Sequence, residues 1–239
     1  MKKALIIQGG WTGHEPVQVS TRFAEFLRGE DFEVEVSDTL ESLENLDKLL
    51  ELDLIVPVWT MAKITKEQEQ NVSKAIATGV GIAGCHGGMC DAFRESTLWQ
   101  FITGGNWVSH PGGDGITYTV NIKNSSSPLV QDVSDFKLTS EHYYLHVDPA
   151  VEVLATTRFP SVKWYHSTNK EVDMPVVWTK HWGHGRVYYN ALGHVDNVFD
   201  VPEVFELMKR GLLWAAEGKQ AAIDKGLSIA EFESDAKMF

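Results

Sequence analysis

The segment Gly84-Cys85-His86-Gly87-Gly88 frames a histidine with glycines at a point where an apolar run should turn into a helix. A turn of the form Gly-x-nucleophile-x-Gly lifts its central side chain above a sheet edge and leaves backbone N–H groups beside it. His86 occupies that centre. Cys85 falls one residue early, where its side chain should point down into the sheet layer. Two readings follow: Cys85 is a nucleophile in an unusual register, or His86 is the working residue. A small buried cysteine is the commoner state of that residue type, and the tip position favours His86.

The chain holds nine histidines, and several fall where strands should end. His14 follows the first apolar run in GGWTGHEP. His110 lies in SHPGG, Glu141, His142 and His146 in TSEHYYLHVDP, and His194 in NALGHVDN with Asp196 two residues on. Imidazole with carboxylate suits a divalent ion such as Zn, Mn, Ni or Fe. The same groups can run acid–base chemistry without a metal, because histidine titrates near neutrality. HExxH and CxxC spacings are absent, so any metal site must be assembled from distant loops. His166, His181 and His184 read as surface or hydrogen-bonded residues, the last two flanking a hairpin turn and expected to face solvent. Trp11, Trp59 and Trp107 each lie at or just after an element end. Their flat faces with a polar edge suit polyhydroxylated rings. Trp178 and Trp214 read as core.

The elements that must position these groups alternate strand and helix. Ala4–Gln8 is a continuous apolar run, as in a buried parallel strand, and stops at Gly9-Gly10. Glu15 to Arg28 is helical, with Val19, Phe23, Phe26 and Leu27 on one face. Phe32–Ser37 alternates as a half-exposed strand, Leu43–Leu52 is a leucine-spaced helix, and Leu54–Trp59 is a second buried strand. Thr65 with Gln68 makes a capping box for a helix ending at Gly79. Val80–Ala83 is a short strand leading into the glycine-framed turn, and a helical stretch runs from Met89 to about Ile102. This half is a three-layer αβα pattern. The second half predicts strands at Gly115–Ile122 and Val151–Thr157. A hairpin of Pro175–His181 and Arg186–Leu192 follows, then a helix from Asp200 to Gly218. Residues 218–239 form a weakly amphipathic tail that packs on the domain or on a neighbouring subunit. With no linker or repeat, residues 1–239 read as one domain.

Composition narrows the partners. At 239 residues and 43% hydrophobic content the chain can bury a sizeable core. The net charge is −12 without a dense Lys/Arg stretch, which argues against nucleic acid and anionic membranes. Cys85 and Cys90 are too few and too close for a disulfide framework and fit a reducing compartment. The apolar run Ala4 to Ile7 is too short for a signal-peptide core or a membrane span, so a cytoplasmic location is expected.

Taken in order, ALIIQGGWTGHEP, GVGIAGCHGG, FITGGNWVSHPGG, SEHYYLHVDP, MPVVWTKHWGHGRVYYNALGH and RGLLWAAEG resemble the trehalose-utilisation, or ThuA-like, family over nearly the whole chain. The resemblance implies an α/β, flavodoxin-like fold of the class I glutamine amidotransferase type: a mostly parallel sheet with an added antiparallel hairpin. It also implies a link to catabolism of trehalose or related disaccharides at the level of keto-sugar intermediates. The family's polar positions fall on His14, His86, His110, Glu141, Tyr143 and His194. Ser140 departs from the common form, where Asp precedes the Glu. Amidotransferases place Cys at the elbow and His-x-Glu after a late strand. Here these positions read His86 and His194-Val195-Asp196, and two imidazoles cannot perform thioester acyl transfer, so no glutaminase is expected.

The resulting expectation is an enzyme of sugar catabolism: an isomerase, lyase or hydrolase. His86, Glu141, His194 and Asp196 are the catalytic candidates. Trp11, Trp59, Trp107, His110 and Tyr143 are the substrate-binding candidates, and His14, His86, His142 and His194 the metal ligands. No nucleotide cofactor is expected. The partners are a small-molecule sugar and further copies of the chain in a homo-oligomer. Two alternatives stand beside this: a non-catalytic sugar-binding accessory protein and a Cys85-dependent hydrolase.

Overall fold

Strands covered on both faces read as unbroken apolar runs, and such runs build the middle of this sheet. The computed structural model describes residues 1–123 and 126–232. Its first half runs β1 (Lys2–Gly10), α1 (Pro16–Gly29), β2 (Phe32–Ser37), α2 (Leu46–Glu51), β3 (Leu54–Thr60), α3 (Lys66–Ala77), β4 (Gly81–Cys85), α4 (His86–Cys90) and α5 (Thr97–Thr103). The second half runs β5 (Gly105–Ser109), β6 (Ile116–Ile122), β7 (Phe136–Ser140), β8 (Tyr144–Val147), β9 (Glu152–Phe159), β10 (Val172–Trp182), β11 (Gly185–Asn190) and α6 (Pro202–Asp224).

The main sheet has the order β2-β1-β3-β4-β11-β10-β9-β6-β7. Strands β2 to β11 in that order are parallel, and the remainder are antiparallel. β5 and β8 form a separate antiparallel pair. This is the expected α/β architecture, a mostly parallel sheet with an antiparallel extension and helices around it.

Consecutive residues of a strand point to opposite faces, and Tyr188 and Tyr189 of β11 show what covers each. The Tyr188 hydroxyl donates to Leu207 O of α6 at 2.7 Å. Tyr189 packs on Trp178, whose indole donates to Thr103 O of α5 at 3.0 Å. Glycine permits the close approach of α6: a Cβ on Gly211 would lie 2.2 Å from the Tyr188 ring. Trp178 is fully buried as core, while Trp214 is half-buried beneath Arg186.

Several boundaries differ from the sequence pattern. The helical stretch after the glycine-framed turn is two helices. The chain breaks at residues 91–96, where Asp91 holds Arg94 and the Ser96 hydroxyl accepts from Trp99 N to start α5. The helix expected at Leu43–Leu52 is a 3-10 turn followed by α2, restarted by the Asn45 side chain accepting from Lys48 N. α6 continues through Gly218 to Asp224. That glycine serves close packing against the Gly79 carbonyl and does not end the helix. β5, β7 and β8 are short, with weak alternation in β5 and β8, and the sequence pattern did not reveal them.

His181 is exposed as expected, but His184 is not. Its Nε2 lies 3.1 Å from Ser228 O and 2.9 Å from Glu231 Oε1, and Phe232 covers its ring. The tail up to residue 232 therefore docks on the β10–β11 turn. The rest of the tail, 233–239, lies outside the described residues. Among the described residues no helix is long and apolar enough to cross a membrane.

Candidate functional site

The carboxyl ends of the parallel strands deliver three of the histidines. β1 leaves the sheet through Gly10, which has φ +79° and would place a Cβ 1.9 Å from Thr60 O, so only glycine fits. A 3-10 turn, Thr12–His14, then swings His14 over the edge. β4 ends at Cys85, two residues later than its apolar run suggested. His86 adopts φ 45°, the left-handed conformation of a strained elbow. Gly87 is required there because a Cβ would meet the His14 ring at 2.4 Å and the Tyr143 hydroxyl at 3.0 Å. After β11, Gly193 at φ 105° turns the chain against Phe199 and presents His194. The β7–β8 connection supplies Glu141 and Tyr143, and the loop after β5 supplies His110.

These residues converge on one carboxylate. Glu141 Oε2 lies 3.5 Å from His86 Nε2 and 4.0 Å from His14 Nε2. Its Oε1 lies 3.5 Å from His194 Nε2 and 3.7 Å from His110 Nδ1. All four separations are longer than a hydrogen bond. Both nitrogens of His86, Nδ1 of His110 and His194, and Oε2 of Glu141 are buried without a hydrogen-bond partner among the described residues. Tyr143 lies against the His86 ring, 3.7 Å between centroids.

Burial sets the charge state. It pushes His14 down to about 3, with repulsion from His194 and His110 adding to it. His86 is held well below its ordinary value by burial first and then by His14, His194 and His110. Burial raises Glu141, against the pull of His194. Tyr143 is raised by burial and by Glu141, so its hydroxyl keeps its proton.

The imidazoles of His14 and His86 are thus neutral, the form that ligates metals. His14, Glu141 and His194 each bring a ligand atom within 4.8 Å of the others. Ligand atoms tetrahedrally disposed about zinc sit roughly 3.3 Å apart, given Zn–N near 2.0 Å. The 3.5 Å and 4.0 Å gaps around Glu141 come close to this. Glu141 Oε2, buried without a hydrogen-bond partner among the described residues, is one of the atoms that could face such an ion. His14 Nδ1 is 2.9 Å from Thr60 Oγ1, the kind of outer contact that fixes a ligating imidazole. The residues present fit a divalent ion.

Not every expected residue joins. His142 is stacked between Tyr118 and Phe159, and its Nε2 meets Thr157 Oγ1 at 2.7 Å. It belongs to the core of the antiparallel extension and is not placed to share a metal with His14. Asp196 pairs with Arg22 of α1 at 2.7 and 2.8 Å, so its carboxylate does not turn toward the cluster. The Trp59 ring lies across Gly9, about 3 Å from where a Cβ would be, and is not among the residues lining the cleft over Glu141. Cys85 is buried, and burial pushes its thiol up to about 12, which removes the thiolate a hydrolase would need.

Trp11, Trp107, His110 and Tyr143 do line that cleft, which has a volume of about 160 Å³. Three contributors were missed: Thr60, Asp91 and Arg94. For Asp91 and Arg94 the one available signal was their i,i+3 spacing in CDAFRES, which allows an ion pair on a turn. Thr60 carried no signal.

The fold and the elbow together define a class: a glutamine amidotransferase-like α/β protein with an imidazole at the elbow. The chain belongs to the ThuA family, described as trehalose utilisation, whose model matches residues 3–215. A ThuA-like protein from Bacteroides uniformis ATCC 8492 superposes with a TM-score of 0.70 at 20% identity, covering 90% of this chain and 91% of that one. One from Parabacteroides merdae ATCC 43184 gives 0.68 at 17% identity, covering 91% of each. A glutamine amidotransferase from Thermotoga maritima gives 0.52 at 14% identity, covering 98% and 99%. At these identities the likeness is one of fold. No curated protein matches the chain.

Proposed function

We propose that this protein is an enzyme of trehalose-related sugar catabolism that transfers a proton at the carbon beside the carbonyl of a keto-sugar. That step underlies both isomerisation and elimination. The observation that carries the reading is the Glu141 carboxylate, which lines an indole-walled cleft together with His14 and His110 and is backed by His86 and His194. His14, His194 and Glu141 would hold a divalent ion, which when bound supplies positive charge for a carbonyl oxygen. His86 takes and returns the proton through a nitrogen that has no hydrogen-bond partner among the described residues. Glu141, 3.5 Å away, offers the negative charge that a protonated imidazole needs. Tyr143 keeps its hydroxyl proton and can donate to a sugar oxygen. Trp11 and Trp107 offer flat faces to the ring.

The test is solvent-deuterium exchange into 3-keto-trehalose, followed by NMR, with metal content measured on the purified protein. Exchange by the wild type and its loss in His86→Ala are expected. Absence of exchange, with trehalose binding indifferent to His86→Ala, would return the chain to a non-catalytic sugar-binding role.

A further inference from the structure

The turn between α4 and α5 carries a charged pair that the proton-transfer chemistry does not use. Asp91 is 3% exposed. Both of its carboxylate oxygens accept from Arg94, one from Nε and the other from an Nη at 2.9 Å. The guanidinium also lies 4.4 Å from the centroid of the Trp107 ring. Backbone bonds from Met61 N to Asp91 O (2.9 Å) and from Ala62 N to Ala92 O (2.7 Å) tie this turn to the end of β3. Arg94 is therefore held in one plane by a fork on one side and an indole face on the other. Such fixation lowers the ordering cost of binding.

Asp91, Arg94, Trp107 and Trp11 line the same cleft as Glu141. Trp11 is 46% exposed at its rim. A guanidinium has five N–H donors, and Asp91 takes two directions of the fork, leaving the other Nη for a ligand. The Trp107 indole N–H is buried without a hydrogen-bond partner among the described residues. The subsite thus offers several donors, a carboxylate edge and two aromatic faces.

Charge selects the ligand class. Asp91 offsets Arg94, Glu141 adds negative charge, and Asp114 adds more from beside His194; among the described residues no second Lys or Arg lines the cleft. A divalent ion bound at Glu141 would bring the sum to about neutral. An anionic sugar finds no excess positive charge here, whereas a neutral polyol finds donors, acceptors and flat apolar faces together.

We propose that Asp91, Arg94, Trp107 and Trp11 form a recognition subsite for an uncharged sugar ring, gripped through neighbouring hydroxyls. The proposal rests on the reading of this cleft as a sugar site, but not on the reaction. Arg94 is here a specificity-determining residue. It grips the hydroxyls of a neutral sugar, while the Asp91 carboxylate that offsets its charge removes the attraction for sugar acids.

The experiment is calorimetric titration of the full-length protein with trehalose and with glucuronate. Wild type is compared with Arg94→Ala, Arg94→Lys and Asp91→Asn, and thermal melts and bound-metal content are recorded for each. Trehalose affinity is expected to fall roughly 10- to 100-fold in Arg94→Ala, with metal content unchanged. Arg94→Lys keeps the charge but not the fork and is expected to fall similarly, and this exposed position keeps the test alive if Asp91→Asn does not fold. Tighter binding of glucuronate than of trehalose overturns the proposal. So does trehalose binding that is absent in wild type or unchanged in Arg94→Ala. Arg94-dependent trehalose binding without any deuterium exchange into 3-keto-trehalose would leave the subsite standing and sink the reaction.

Discussion

His86 Nε2 faces Glu141 Oε2 at 3.5 Å, and neither atom has a hydrogen-bond partner among the described residues. Burial drives the two in opposite directions, the imidazole down and the carboxyl up. Each therefore resists its charged form until the other is charged, which couples a proton gained by His86 to the carboxylate beside it. Glu141→Gln keeps the shape and removes the charge. Its turnover of a keto-sugar is expected to fall on the order of 10²- to 10⁴-fold, with trehalose affinity retained within a few-fold. Steady-state kinetics beside calorimetry would decide it; equal loss of affinity and rate would point to a binding role only.

The contact between His14 Nδ1 and Thr60 Oγ1 makes a second case. If His14 ligates an ion through Nε2, Thr60 fixes the tautomer and the ring. Thr60→Val is nearly isosteric and removes that partner. Metal affinity is expected to drop roughly 10- to 100-fold, as for other lost outer-shell contacts. Competition with a chromogenic chelator measures this directly. His194→Ala, which removes a ligand, should lose more. An affinity unmoved by either variant would mean that no ion sits there.

The parallel half of the fold was legible because ALIIQ and LIVPVW are short apolar runs bounded by turn signals, as covered strands are, and because the Thr65–Gln68 box marks the start of its helix. The elbow was legible because glycines are needed where Gly87 meets the His14 ring. The antiparallel half was less so: β5 and β8 are too short to show a period. Glu141 and His142 are neighbours in sequence, yet one points to the cleft and the other into the Tyr118–Phe159 stack. Residue type cannot tell these two directions apart. Arg94 and Asp91 escaped because a helix was expected to run straight through them.

Asp196 offers a negative expectation. Its carboxylate is taken by Arg22, and its backbone N–H donates to Glu15 Oε2 at 3.0 Å, so it fastens the loop bearing His194 to the one bearing His14. Asp196→Asn should keep turnover within about threefold. The pair is partly exposed, so the loss of stability should be small, about 1 kcal/mol or less. Urea melts and kinetics on the same preparation check both. A collapse of turnover without a change in metal affinity would restore Asp196 to the chemistry.

Cys85 gives a chemical check on the elbow. Burial alone pushes its thiol up to about 12, so almost no thiolate exists near neutrality. Iodoacetamide should leave Cys85 unmodified in the folded protein and label it after urea is added, as read by peptide mass. Cys85→Ala should keep keto-sugar turnover. Rapid labelling in the native state, with loss of activity, would revive a thiol mechanism.

His142 predicts how stability depends on pH. Its ring is buried between Tyr118 and Phe159, and burial lowers it to about 4 from an ordinary value near 6.5. Above 6.5 the residue is neutral in both folded and unfolded chains, so its favourable burial is fully present. As pH falls from 6.5 toward 4 the unfolded chain takes up a proton that the folded chain refuses, and stability is lost. A shift of this size corresponds to roughly 3 kcal/mol at full effect. His14, lowered to about 3, works in the same direction, while Glu141, raised by burial, is favoured by acid and offsets part of the decline. His142→Gln cannot titrate and retains a group that can meet Thr157. Urea melts at pH 7.5 and 4.5, in the presence of a chelator, should therefore show a shallower acid loss in His142→Gln than in wild type. Identical losses would mean that the ring is hydrated in solution and already titrates normally.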